Sequence, residues 1–152
     1  MSTTVYLGPC SSIRNLRLSV PGMVLKGKTS TFHCSWDMEP GDKVWAVNWY
    51  RGNMHLLRFI VTEQPPTKVF KLTNFDIDVS YVSFMKPTIQ FWCQGLLSDG
   101  KTLWLRNVNI HNTGQYSCEV VAENTFLTLI QAAHLQVVGM INLRKSKHNI
   151  HN

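Results

Sequence analysis

Apolar and polar residues alternate with a period of two along most of this chain, and turn-forming residues fall between the alternating runs. Residues 13–20 put Leu16, Leu18 and Val20 on one parity and Arg17 and Ser19 on the other, the pattern of a strand buried on one face. Pro21-Gly22 ends that run, and Gly27-Lys28 supplies a turn. Residues 31–36 predict a second strand with Phe32, Cys34 and Trp36 inward, followed by an acidic loop over 37–42 with Pro40-Gly41 at its tip. A third strand over 44–51 turns Trp45, Val47 and Trp49 to the core and Ala46, Asn48 and Tyr50 outward. Gly52-Asn53 leads into a strand over 54–62, Gln64-Pro65-Pro66 interrupts pairing, and 67–72 reads as a short strand. Strands over 103–108, 114–121 and 126–138 follow, with Tyr116, Cys118 and Val120 sharing an inward parity. No stretch carries a helical period, so the chain reads as all-β.

Within that frame, three residues stand at informative distances. Trp49 follows Cys34 by about fifteen residues, and Cys118 comes two after Tyr116 in the run Asn112-Thr113-Gly114-Gln115-Tyr116-Ser117-Cys118. This is the arrangement expected of an immunoglobulin-like β-sandwich: two antiparallel sheets, one cysteine from each, a tryptophan packed on the bridge and a tyrosine corner. The hairpin added over 54–72 makes the expectation a variable-type sandwich. A Cys34–Cys118 bridge, with Trp49 and Tyr116 as core residues, would stabilise it by roughly 4–5 kcal/mol in the chain-entropy account.

The chain has 152 residues. A sandwich needs roughly 100, so one domain is expected over 13–138, between an N-terminal tail (1–12) and a basic C-terminal tail (139–152). Segment 80–100 interrupts the domain, because it holds Phe84, Met85, Phe91, Trp92 and Cys93 without alternation. Either it is an insertion whose apolar surface marks an interface, or it is non-coding sequence carried into the chain. Its pattern specifies no strand register, so it is expected to be the least ordered part of the domain.

Formal charge is +6, but Arg144, Lys145 and Lys147 lie in the tail and leave an excess of about three. Neither a concentrated basic face nor a known motif points to nucleic acid. The tail reads as a solvated end, with weak attraction to anionic polymers as the alternative. A bridged Cys34–Cys118 pair implies an oxidising environment and an extracellular protein, secreted or at the cell surface. Residues 1–8 show neither a basic nor an apolar signal region, so a signal peptide is expected to be absent from this chain. The longest apolar stretch, 125–141, is broken by Gln131, His134 and Gln136, and a transmembrane segment is not expected.

Catalysis finds no foothold. The sequence has no Gly-x-Ser-x-Gly elbow, phosphate-binding glycine loop or His-Glu-x-x-His motif. His33, His55, His111 and His134 are scattered, and His148 and His151 belong to the tail. Cys10 and Cys93 either form a second bridge or stay free. Neither an enzyme, a metal nor a cofactor is expected.

A more particular likeness runs from Cys34-Ser35-Trp36-Asp37-Met38-Glu39-Pro40-Gly41-Asp42 into Val47-Asn48-Trp49-Tyr50-Arg51-Gly52. It continues through Arg58-Phe59, Pro65-Pro66, Val69-Phe70 and Ile77-Asp78-Val79, then Leu105-Arg106-Asn107-Val108 and Gly114-Gln115-Tyr116-Ser117-Cys118-Glu119-Val120. These runs resemble the first immunoglobulin domain of the Beaten path family of arthropod nervous-system proteins, over about 16–138 without 80–100. Asn48 stands where that family usually has Lys, Met38 and Pro40 alter the acidic loop, and the second domain common in the family is not expected after Val138 in this chain. The resemblance implies a secreted or membrane-anchored cell-recognition protein that binds Sidestep-type immunoglobulin receptors in axon guidance.

Strand parity then nominates a partner-binding face. Asn48 and Tyr50 point away from the core because Trp49 points into it, and Ser117, Glu119 and Val121 do so because Cys118 does. Arg58 on the neighbouring strand is expected to bring a cation next to Glu119. The expected partner is another immunoglobulin-type surface protein, Sidestep-like, or a homophilic one. An immune-type variable domain that binds with its end loops is the alternative, and the acidic 37–42 loop would then contribute. The last strand lacks the Phe/Trp-Gly-x-Gly bulge of antigen receptors, which favours the face.

Overall fold

The alternating runs form ten strands in two sheets, in a computed structural model that describes residues 13–78 and 100–139. The strands are β1 (Ile13–Ser19), β2 (Met23–Leu25), β3 (Ser30–Met38), β4 (Val44–Arg51), β5 (Met54–Ile60), β6 (Thr67–Val69), β7 (Asp76–Ile77), β8 (Thr102–Arg106), β9 (Gly114–Ala122) and β10 (Thr128–Val138). One sheet runs β1-β3-β8-β7 and the other β2-β10-β9-β4-β5-β6. Segment 80–99, both tails, and with them Cys10, Cys93, His148 and His151, lie outside the described residues, so the expectations placed on them do too.

Parity builds the core. Phe32 and Cys34 from one sheet meet Val47, Trp49, Leu57, Tyr116, Cys118 and Val120 from the other, all essentially without solvent contact. The Cys34–Cys118 disulfide crosses the gap from β3 to β9, with Cα atoms 6.4 Å apart and a sequence separation of 84. Trp49 is wholly buried, and its indole Nε1 donates to the Gly100 carbonyl at 2.7 Å. Gly100 sits at φ +75°, where a Cβ would come within 2.8 Å of the Phe59 Cβ. The chain passes there only because the residue has no side chain.

Below the bridge, Tyr116 donates its hydroxyl to the Asn112 carbonyl at 2.6 Å and packs its ring 4.7 Å from that of Phe32. This is the expected tyrosine corner. A short 3₁₀ turn, Ile110–Asn112, presents that carbonyl; the buried Asn112 side chain caps it by accepting from the Asn109 N–H and reaches the Asn74 carbonyl. Burial pushes the Tyr116 phenol up to about 12, against the opposing pull of the Arg51 guanidinium.

Several expectations need correction. The sheets are not wholly antiparallel: β2 pairs parallel with the end of β10. At three and two residues, β2 and β7 are too short to show a period, and the pattern missed both. A bulge between Arg14 and Arg17, with Asn15 at φ +53°, lets Ile13 and Leu16 share the core although they differ in parity. Trp45 does not face the core. A second register shift, between Val44 and Ala46, moves it to the opposite face, where it packs with Ala46, Ile60 and Val121.

Candidate functional site

The outer face of the six-stranded sheet carries the residues nominated by parity, and ladder register sets them in rows. Asn48 lies between Glu119 and Arg58, and Ala46 lies between Val121 and Ile60. Tyr50 lies between Ser117 and His55. Asn48 Nδ2 donates to Glu119 Oε1 at 2.8 Å, and the Tyr50 hydroxyl reaches the same oxygen at 3.5 Å. Burial, followed by the Glu119 carboxylate, pushes the Tyr50 phenol above its ordinary range. The centre of the face is therefore a small polar group held by its own hydrogen bonds.

Two of the nominated residues are deeper than parity implied. Asn48 and Val121 are each only 9% exposed. They support the surface more than they form it. Tyr50, Ser117 and Glu119 are half-buried and reachable.

Arg58 faces the same side, but its guanidinium does not pair with Glu119. It donates to both carboxylate oxygens of Glu63, at 3.1 and 3.2 Å. The correction has a simple cause: Glu63 lies just past the end of β5, and a long arginine bends to the carboxylate nearest its own strand.

Beside Tyr50 is an element that sequence parity hid. A register shift in the β4–β5 ladder sets Tyr50 opposite His55 and Trp49 opposite Leu57, so that Leu56 is the extra residue. Both leucines go to the core, and His55 comes out beside Tyr50. Its imidazole stacks on Tyr50 with ring centres 4.5 Å apart and on Phe70 at 4.3 Å. The Lys68 ammonium closes the strip, 5.2 Å from the Phe70 ring centre. Burial leads in holding the His55 pKa below its ordinary value; Arg58 and Lys68 act in the same direction, against the Leu57 backbone and Glu119. Neutral imidazole suits a stack between two rings.

On the other flank, β10 presents Ile130, 57% exposed, opposite Glu119. A shallow depression of about 200 Å³ runs from Gly52 along Gln115, Ser117, Ile130, Gln131 and Ala132. At the loop end, Trp45 meets Phe126 edge-on at 5.9 Å. His55, Phe70, Ile130, Trp45 and Phe126 were not nominated from the sequence, and two of them became accessible only through bulges.

The acidic loop is engaged within the chain. Asp37, on β3, accepts from Arg17 at 3.0 Å and Asn15 at 2.8 Å, and the Arg17 hydrogen bond leads in holding its carboxyl below the usual range. Glu39 pairs with Arg14, and Asp42 accepts from Asn124 at 2.9 Å. Among the described residues, no three His, Cys, Asp or Glu side chains gather into a metal-holding group, and no helix is long and apolar enough to cross a membrane.

Strand order, the β3–β9 bridge, the tryptophan on it, the tyrosine corner and the β5–β6 hairpin define an immunoglobulin-like sandwich of variable type. Solved structures of similar fold include an amphioxus IgVJ-C2 molecule (TM-score 0.49, 14% identity, 76% of this chain and 54% of that one). They also include murine CRIg (0.49, 12%, 84% and 100%) and the titin I-band fragment I67–I69 (0.45, 15%, 84% and 33%). The chain thus spans about half the amphioxus chain and a third of the titin fragment. No protein-family model and no curated protein sequence matches it.

Proposed function

We propose that this chain is an extracellular recognition module that docks another immunoglobulin-type domain against the outer face of its six-stranded sheet. It acts by binding, not catalysis. The observation that carries this is the composition of the face: the Tyr50–His55–Phe70 strip and exposed Ile130 flank a polar centre of Asn48 and Glu119. Tyrosine and phenylalanine are enriched at protein interfaces, and tyrosine among their hot spots, so the accessible Tyr50–Phe70 strip supplies the anchors of such a face. The Beaten path-like runs narrow the proposal to axon guidance or adhesion, with a Sidestep-type receptor as partner. The disulfide fits a secreted or cell-surface setting.

Surface binding of a Sidestep-type ectodomain to the parent, Tyr50→Ala and Glu119→Arg tests this directly. Tyr50→Ala is expected to lose at least ~1–2 kcal/mol of affinity with little change in melting temperature. If both variants bind as the parent does, the face is not the site. A second reading, an immune-type domain that recognises through its end loops, draws on Phe126, which stands exposed in the β9–β10 loop.

A further inference from the structure

Resting on the reading of the outer face as a docking surface, we propose that one of its occupants is a second copy of this chain. The apolar ledge at the loop end of one face seats on the aromatic strip of the other, across a twofold axis. The ledge departs from ordinary backbone preferences. A bulge turns Trp45 out of the core, and Phe126 packs against it while remaining 64% exposed. Phe126 holds φ +52°, a left-handed conformation that a bulky residue keeps only where its surroundings impose it. Beneath it, the Val61 N–H donates to the Trp45 carbonyl at 3.2 Å and ties the ledge to the end of β5.

Charge indicates which surface the ledge fits. Glu123 borders it, anchored by its N–H to the Lys43 carbonyl, and has no ion-pair partner among the described residues. Across the face, the aromatic strip ends in Lys68, whose ammonium meets the Phe70 ring and, among the described residues, no carboxylate. Each uncompensated charge thus sits beside accessible aromatic surface, and the two signs are opposite.

A twofold pairing needs both surfaces on one molecule, since each contact is made twice with roles exchanged. Lys68 on β6 lies three strands from β9, about 14 Å at ordinary strand spacing. The midpoint between the two charges falls over Ala46 and Ile60, which are uncharged neighbours in the β4–β5 ladder. Glu119, on the same face, already accepts from Asn48. Both contacts therefore form together, each setting Glu123 of one copy against Lys68 of the other.

Sedimentation equilibrium of the disulfide-intact chain tests the proposal. The parent is expected to dimerise reversibly, and Glu123→Lys and Lys68→Glu each to weaken self-association about tenfold or more, because each reversal acts at two contacts. An equimolar mixture of the two variants is expected to recover the dimer. The doubly reversed chain is expected to pair with itself but not with the parent. Melting curves matching the parent keep misfolding out of the comparison. A parent that stays monomeric at high micromolar concentration, or a mixture as weak as its components, overturns the inference. If the parent is monomeric yet Tyr50→Ala loses Sidestep-type binding, only the second-copy inference falls. If the charge swap restores the dimer while receptor binding ignores Tyr50→Ala and Glu119→Arg, the inference stands and the receptor reading falls.

Discussion

Replacing Tyr116 with Phe removes one oxygen atom and leaves the ring on Phe32. The lost group is the hydroxyl that donates to the buried Asn112 carbonyl at 2.6 Å. Deleting one partner of a buried hydrogen bond costs about 1–3 kcal/mol, because the other is left dry and unpaired. For a domain of this size about 2 kcal/mol corresponds to roughly 5–10 °C in melting temperature. The same substitution has a pH signature. The phenol is raised in the folded state from 10.0 to about 12, so its contribution is fully present below pH 10.0 and lost as pH climbs through about 12. The parent thus loses about 1.4 kcal/mol by pH 11 that the Phe variant does not lose. Calorimetry of both proteins from neutral to alkaline pH should show a gap at pH 7 that narrows steadily above pH 10. Equal stability at neutral pH, or curves that stay parallel to pH 11, would refute the account of the corner.

Trp49→Ala should cost roughly 3–5 kcal/mol, the range for large core truncations, and a disulfide-intact variant that melts with the parent would contradict the packing on the bridge. Gly100→Ala should cost about 2 kcal/mol or more by denaturant titration, since it forces a side chain into a left-handed backbone against Phe59 and Val47; an unchanged midpoint would mean the loop shifts freely. His55 should titrate by NMR below its ordinary 6.5. Because its folded pKa is depressed, the neutral ring's contribution is complete above 6.5 and lost as pH falls through the folded value. A midpoint at or above 6.5 would exclude the buried stack.

Much of the fold was legible from residue type and spacing. Cys34, Trp49, Tyr116 and Cys118 carry their roles in their separations, and the parity of Phe32, Val47 and Val120 told core from surface because a strand turns successive side chains to opposite faces. The outward set of Asn48, Tyr50, Ser117, Glu119 and Val121 followed by the same rule. That rule holds only while pairing register is unbroken. One extra residue in a ladder reverses every assignment beyond it, and nothing local at Asn15, Trp45 or Leu56 announces a bulge. Trp45 therefore moved out of the core and His55 came into the stack through pairing between distant strands. Partner choice behaved alike: Asn48 stands between Arg58 and Glu119 in the ladder, and the chain after β5 brings Glu63 to the Arg58 guanidinium. Residue periodicity determines which way a side chain points along one strand. Which side chains meet depends on how strands are laid beside one another, and only the tertiary structure decides that.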